Sequence, residues 1–406
     1  MKYRMNEGSR QELCMYTPTT MGGHALYTLD LLSALVDTDP SRELAVSLFT
    51  CSDLPMRYRP GSYVIHDPLP PMRSRRDFKS SALWSFYRQW YFFIRERNFV
   101  RLVSASQQCL AVHFQEYTPW LMPGHFKRLK AAGKRLFCTV HGVYPNRYMD
   151  GVPKGVYHKW CRDGWKRCDA LFVHTEGLGG TLRRFLGDPC PPIFVTPPGI
   201  SENLPDEKRI GESMQAADPH RLLFFGVIRP TKGLHILLQS MRELPQCRLT
   251  IAGDFKEAAY KKRILAEIAQ LPKEQVRLID RFVDDDEIPG ILAGSGLLIL
   301  PYTFFFAQSG VLRLAIKYGL PVVASDVGGL GESIRAWNIG SCVMPDDPKA
   351  LADCIRKMTE PERYKKALEA VAALPNRLQW RNTAEQTWRA YLSILDSGPR
   401  REVVQQ

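Results

Sequence analysis

The chain has no pair of cysteines at C-x-x-C spacing. Its ten cysteines are scattered from Cys14 to Cys354, and only Cys161 and Cys168 lie near each other. That scatter argues against a zinc site or a disulfide frame and for reduced thiols in a cytosolic setting. The start, MKYRMNEGSRQE, is polar and lacks the apolar core of a secretory signal. No apolar run is long enough to read as a membrane span. The richest one, residues 288–306, is interrupted by Pro289, Gly290, Gly294, Gly296 and Pro301. Internal repeats and nucleic-acid motifs are missing as well. Acid is in short supply: 42 Asp and Glu stand against 55 Lys and Arg, a net charge of +13. That surplus suggests an anionic partner, whether nucleotide, nucleic acid or acidic lipid face, and charge alone does not choose among them.

What is present is length for two domains in 406 residues, with ordinary apolar and charged fractions. Residues 294–332 organise the reading. Leu297–Leu300 is a short apolar run stopped by Pro301, which predicts a buried parallel strand. An aromatic loop, Tyr302 to Phe306, follows. Ser309 and Gly310 open a helix that Gly319 and Pro321 end. A second strand, Val322–Ala324, runs into a turn at Asp326-Val327-Gly328-Gly329. Open α/β sheets bind ligands at the carboxyl ends of such strands. There the amides of Ser309, Gly310 and Val311 form a ready anion site.

Earlier in the chain, Leu13–Thr17 predicts an opening strand, and Gly22-Gly23 separates it from a helical run that starts at Ala25. Two glycines at a strand–helix junction allow close backbone approach to a phosphate or sugar, although a tight turn is the plainer reading. Ala111–Gln115 and Arg135–Val140 predict strands, the second running into His141-Gly142. Cys168–His174, Ile193–Pro197, Arg221–Gly226, Arg248–Gly253 and Val276–Leu278 continue the alternation of strands with helices. After Arg221–Gly226 comes Val227-Ile228-Arg229-Pro230-Thr231-Lys232-Gly233. Arg229 and Lys232 are the strongest candidates for chemistry. Fixed cations aimed at a leaving diphosphate stabilise the transition state more than the ground state. Asp284-Asp285-Asp286 has ligand atoms for a divalent metal, but a solvated turn capping a helix before Ile288 explains it better, and no metal is expected.

Residues 72–103 mix aromatics with arginine. Trp84, Tyr87, Tyr91 and Ile94 fall at helical spacing, flanked by Arg88, Arg95 and Arg97. Two readings stay open: a core helix with a solvated basic edge, and an interfacial helix on anionic lipid.

GLPVVASDVGGLGE, TVHGVYP and the Gly226–Gly233 stretch resemble the retaining glycosyltransferases of the GT-B class, family four. The likeness spans roughly residues 12–395. It implies an α/β GT-B fold of two Rossmann-like domains with parallel sheets facing a central cleft. The expected division is an acceptor domain over 1–200, a linker over 201–219, and a nucleotide-sugar domain over 220–375. A terminal helix crossing back, with a loose tail, takes up 376–406. The resemblance further implies that Arg229 and Lys232 hold the donor diphosphate and that His141 lies against the transferred sugar. Gly22, Gly23, Gly226, Ser309, Gly310 and Val311 would line the donor, with Glu332 near the ribose. No cofactor is implied beyond the nucleotide sugar as substrate. The implied partners are a saccharide or polyprenyl-linked acceptor and an anionic membrane surface, with a cytoplasmic location, peripheral on the inner membrane face. Two glutamates on the preceding loop and helix normally come before the family's glycine turn. Aligned back from Gly319, their places hold Ala307 and Leu314. This QSGV form leaves a second expectation open, a catalytically silent scaffold that partners another transferase. A sugar-nucleotide epimerase is a weaker third, because no acidic pair can be placed for it.

Overall fold

The structure, a computed structural model, describes residues 11–18, 23–39, 44–51, 64–69, 72–73, 77–145, 148–149, 151–200, 218–284, 286–304 and 309–396. The chain divides into two compact units. One takes in residues 1–143, 147–198 and 380–406, the other residues 144–146 and 199–379.

The first unit is built on seven parallel strands. They are β1 (Gln11–Tyr16), β2 (Leu44–Cys51), β3 (Val64–Leu69), β4 (Cys109–Phe114), β5 (Arg135–Thr139), β6 (Ala170–Val173) and β7 (Ile193–Val195). Their order across the sheet is β3-β2-β1-β4-β5-β6-β7. The strands are near-continuous apolar runs because helices cover both faces of the sheet. These helices are α1 (Gly23–Asp37), α2 (Ser81–Ala105), α3 (Met122–Ala131), α4 (Lys154–Trp165) and α5 (Glu176–Leu186). On one face, Phe99 of α2 packs against Tyr16, Phe49 and Phe114, one from each of β1, β2 and β4. On the other, α1 meets the last helix of the chain, Trp380–Leu395. That helix puts Trp380, Trp388 and Tyr391 into the core of the first unit. Trp388 Nε1 donates to the Leu35 carbonyl at 2.9 Å, and the Tyr391 hydroxyl bonds buried His113.

The second unit has six parallel strands: β8 (Arg221–Phe225), β9 (Arg248–Gly253), β10 (Val276–Asp280), β11 (Leu297–Leu300), β12 (Val322–Ser325) and β13 (Gly340–Val343). They are ordered β10-β9-β8-β11-β12-β13. Renumbered from its own first strand, this is the 3-2-1-4-5-6 Rossmann arrangement. Its helices are α6 (Leu234–Met241), α7 (Ala258–Ile268), α8 (Ile288–Ala293), α9 (Gly310–Lys317), α10 (Gly328–Trp337), α11 (Pro348–Met358) and α12 (Pro361–Arg377). The helix Trp380–Leu395 is then α13. In both sheets strand order reverses beside the first strand, between β1 and β4 and between β8 and β11. The loops leaving those strands therefore diverge and open a crevice.

Three expectations are corrected. Asp326-Val327-Gly328-Gly329 is not only a turn, since Gly328 already starts α10 and places Glu332 in its second turn. No aspartate caps α8. Its N-cap is Glu287, without a side-chain capping bond, because that carboxylate pairs with Arg281 at 2.5 Å. Arg95 is no solvated edge. It is buried beside Glu96, 3.6 Å away, with its guanidinium over the Phe92 ring at 4.8 Å. Gly22, Ala307, Gln308, Asp285, most of the linker and the tail beyond residue 396 lie outside the described residues.

Candidate functional site

In the second unit the site begins where β8 ends. Gly226 has φ of 106°, a conformation that suits glycine, and a β-carbon built there would come 3.2 Å from Val311 Cγ2. The glycine thus lets the loop after β8 pass close to the first turn of α9. Arg229 follows in extended conformation, and Pro230–Lys232 form one 3-10 turn closed by Gly233 at φ 68°. At Gly233 a β-carbon would fall 1.7 Å from the Pro301 carbonyl oxygen. Only glycine allows the β8 loop to lie directly on the end of β11. The amide of Thr303 then donates to the Thr231 carbonyl at 3.1 Å, tying the two loops across the switch point.

This close approach puts the Lys232 ammonium 3.6 Å from the centroid of the Tyr302 ring. The ring's negative face attracts the cation. Burial pulls the Lys232 ammonium down to about 8, with the Arg229 charge contributing. Tyr302 is buried, which pushes its hydroxyl up to about 12 despite a contact with Ser309 Oγ at 3.5 Å. Ser309 caps α9 by accepting from the Leu312 amide at 3.3 Å. Gly226, Lys232, Tyr302, Ser309 and Val311 therefore form one continuous cluster, with Arg229 exposed at its edge. Its character is cationic, with helix amides to one side and an aromatic floor. The charge and the helix amides are both of the kind that attract an anion.

Glu332 is half-buried on α10. In front of it, Asp326 pairs with Arg335 at 2.7 Å. Leu314, at the place of the family's second glutamate, is half-buried on α9 and packs on the apolar core under β11 and β12.

The first unit holds His141 after β5. Its Nε2 lies 3.1 Å from the Gln115 carbonyl, which can only accept, so Nε2 carries the hydrogen. Nδ1 is then the acceptor for His174 Nε2–H at 2.8 Å. The His24 ring stacks on His141 at 4.3 Å, and the Tyr27 ring meets it edge-on at 5.3 Å. His24 is in turn bound to Glu116 at 2.9 Å. Burial, with His24 and His174 adding to it, holds His141 well below the usual histidine range and therefore neutral. Both ring nitrogens are engaged by protein, so proton transfer through this ring would require breaking one of those bonds. Gly23 opens α1, whose first turn supplies His24.

Of the residues picked from sequence, Gly226, Lys232, Ser309 and Val311 come together, and Arg229 and Gly310 flank them. Tyr302, His24, Gln115 and His174 were not picked. Tyr302 had a legible signal, since it follows the proline that ends a central strand. Gln115 contributes its backbone carbonyl, His24 a stacked ring and His174 a side-chain hydrogen bond from a distant strand, none of which spacing encodes. No group of three or more metal-ligating side chains occurs among the described residues.

The two Rossmann-type sheets, each with its crevice at the strand-order reversal, define a GT-B fold. Solved structures share it. Anabaena HepE, in complex with UDP, superposes with a TM-score of 0.69 at 17% identity, covering 94% of this chain and all of that one. The family "Glycosyltransferase Family 4" matches residues 21–204, and "Glycosyl transferases group 1" matches residues 219–360. With the fold, these two matches place the chain among the family 4 glycosyltransferases of GT-B type. Curated relatives include a glycogen synthase of Mycobacterium tuberculosis, 28% identical over 270 residues, which are 63% of this chain and 62% of that protein. Another is a GDP-mannose:glycolipid 4-beta-D-mannosyltransferase of Xanthomonas campestris pv. campestris. It is 33% identical over 106 residues, 26% of this chain and 30% of that protein. The chain thus aligns with less than two thirds of the length of these relatives.

Proposed function

We propose that this protein transfers a sugar from a nucleotide diphosphate donor to a hydroxyl of a saccharide or lipid-linked saccharide, with retention at the anomeric carbon. The observation that carries this reading is the Lys232–Tyr302 pair beside Arg229, at the switch point of the second sheet. When the bond from anomeric carbon to phosphate oxygen breaks, negative charge builds on the β-phosphate. Lys232 and Arg229, with the α9 amides at Gly310 and Val311, neutralise it as it forms. No carboxylate is assigned as a nucleophile, and both His141 nitrogens are occupied. The departing phosphate oxygen therefore takes the acceptor's proton, and the acceptor attacks from the face that the leaving group vacates. His141 serves to position the sugar. Glu332 lies near the ribose.

The relatives named above use sugars in several settings, from glycogen to glycolipid. For this chain the net positive charge favours an acceptor presented at an anionic membrane face, as in cell-surface polysaccharide or glycoconjugate assembly. The test is NMR of the reaction with a UDP-, GDP- or ADP-sugar found to bind. A product with the donor's anomeric configuration supports the reading, and the opposite configuration rejects retention.

A second reading is favoured by Leu314. It buries an apolar side chain where the family carries a carboxylate, and leucine cannot accept a hydrogen bond from the donor. Loss of one charged hydrogen bond weakens binding or rate by about 1.5–3 kcal/mol. A silent GT-B scaffold would carry that loss without consequence. Nucleotide binding to wild type that Lys232→Ala abolishes rejects the scaffold. If neither protein binds any nucleotide, the scaffold reading stands.

A further inference from the structure

The apolar face of the first sheet changes character at the carboxyl ends of its central strands. Leu13 and Met15 of β1, Val46 and Leu48 of β2, and Ala111 of β4 lie in the core shared with α1 and α13. Successive side chains of a strand alternate between faces, so the last positions on this side are Thr17, Thr50 and Gln115. The opposite face agrees, because Tyr16, Phe49 and Phe114 all meet Phe99 of α2. Register sets the three polar residues at one level. Tyr16 pairs with Phe49 on one side and Phe114 on the other. The ladder then continues, with the Thr17 amide donating to the Phe49 carbonyl at 3.1 Å and the Gln115 amide to the Tyr16 carbonyl at 3.0 Å. The sheet face therefore ends in a polar row across β2, β1 and β4, at the strand-order reversal of this unit.

Thr17 is 2% exposed, and Thr50 and Gln115 are 0% exposed. Yet no hydrogen bond reaches either threonine hydroxyl or the Gln115 side chain. Among the described residues Gln115 is the only one with two such buried atoms, its amide oxygen and its amide nitrogen. Burying a polar atom without a partner is costly, and folded proteins seldom keep one without a use. His113, two positions earlier on the same face, shows the contrast, since its two nitrogens meet Tyr391 and Thr139. The groups around the row belong to the crevice of the first unit. The Gln115 carbonyl takes the His141 Nε2–H, and His24 of the first turn of α1 stacks on His141. Glu116, the residue after Gln115, holds His24.

We propose that Gln115, with Thr17 beside it, reads two adjacent hydroxyls of a sugar ring. The amide presents one acceptor and one donor side by side, and a threonine hydroxyl can act as both. A ligand that answers all of them must itself donate and accept. Phosphate and carboxylate groups only accept, and leave Oε1 unmet. An ammonium only donates, and leaves Nε2 unmet. Neighbouring hydroxyls do both. The row carries no charge, so it suits the neutral sugar and not the diphosphate. The inference rests on the sugar transfer proposed above and adds which side chain discriminates among sugars. Selectivity comes from the unmet groups themselves, because an analogue lacking the hydroxyls leaves them buried and unpaired. The row is closed to solvent in this structure, so a sugar reaches it only with a local rearrangement around it. Both the transferred and the accepting sugar carry such hydroxyls, and the measurement separates them.

The experiment compares the full chain with Gln115→Met and Thr17→Val, which keep side-chain size and remove the polar atoms. Both variants should melt at or above the wild-type midpoint, since no hydrogen bond is lost and unmet polar atoms disappear. A clearly lower midpoint in Gln115→Met shows a side chain already satisfied and overturns the inference. Affinity is measured for UDP, GDP and ADP, and for UDP-glucose, GDP-mannose and ADP-glucose. Methyl glucoside and methyl mannoside are titrated with the nucleotide present. In wild type the sugar should add affinity. Gln115→Met should lower that added affinity at least about tenfold and leave binding of the bare nucleotide unchanged, and Thr17→Val should lower it less. A loss confined to the sugar nucleotides assigns the transferred sugar, and one confined to the methyl glycosides assigns the accepting sugar. Variants that fold and keep the full sugar contribution overturn the inference and leave the row a place for enclosed water only. If wild type binds nucleotide but gains nothing from any sugar, this inference fails alone. If it binds no nucleotide, the transfer reading fails and takes this inference with it.

Discussion

Lys232 shows how one side chain is set for a task by its surroundings. Folding draws it from the ordinary 10.5 down to about 8, through burial first and Arg229 second. The sign of the consequence follows from linkage. Between those two values the unfolded chain holds more protons than the folded one, so this residue's contribution makes stability rise with pH across that window. Below about pH 8 its penalty is present in full. A bound diphosphate reverses the preference, because it interacts with the charged form. At a pH of about 8.5, binding should therefore take up protons, and affinity should fall as pH rises further. Calorimetric titration in two buffers of different ionisation enthalpy measures this uptake. Wild type should show buffer-dependent heat, and Lys232→Arg, charged throughout, should show little. Buffer-independent heat in wild type contradicts the assignment. At this scale the sequence was only partly legible. Arg229 and Lys232 are visible from their place after an apolar strand. The neutral, doubly bonded state of His141 depends on His174, 33 residues away, and on a backbone carbonyl. Neither leaves a trace in local spacing.

At the scale of elements, the turn between β8 and α6 is the part that cannot vary. Gly233 sits at positive φ with the Pro301 carbonyl where a β-carbon would stand. Gly233→Ala must move the Lys232 turn off β11. It should destabilise the second unit by at least about 2 kcal/mol in urea unfolding and weaken nucleotide binding at the same time. A variant with wild-type stability and binding would show that the turn is not held as described. The turn itself was readable from Lys-Gly after a proline. The helix Lys154–Trp165 was not anticipated, and the reason is physical. Pro153, Gly155 and Gly164 read as breakers, yet Gly164 is there for packing. A β-carbon on it would fall 2.7 Å from Met122 Cε, so its absence lets α4 close on α3. In the same way, the outward row of α2, Leu83, Phe86, Trp90 and Phe93, was masked because its neighbouring inward stripe is also aromatic. Spacing finds a helix that is apolar on two sides but does not say which side meets the sheet.

For the whole molecule, the alternation of short apolar runs with helical segments was legible, but the two doubly wound domains were implied by the resemblance to the GT-B glycosyltransferases. Strand order is the part that sequence left open, and the order is what locates function. In each sheet the reversal beside the first strand opens a crevice. In the second sheet that crevice holds the cation pair, the aromatic floor and the start of α9. The first unit is completed from the far end of the chain, because α13 supplies Trp380, Trp388 and Tyr391 to its core. A truncation before residue 380 therefore removes core from the amino-terminal unit.

On the function proposed, Lys232 and Arg229 at the end of β8 receive a nucleotide diphosphate. The most direct test is a thermal-shift titration of wild type and Lys232→Ala with UDP, GDP and ADP, each without the sugar. At least one nucleotide should raise the wild-type midpoint in proportion to its occupancy, and the same nucleotide should leave Lys232→Ala unmoved. Equal shifts in the two proteins, or none with any nucleotide in wild type, would contradict it.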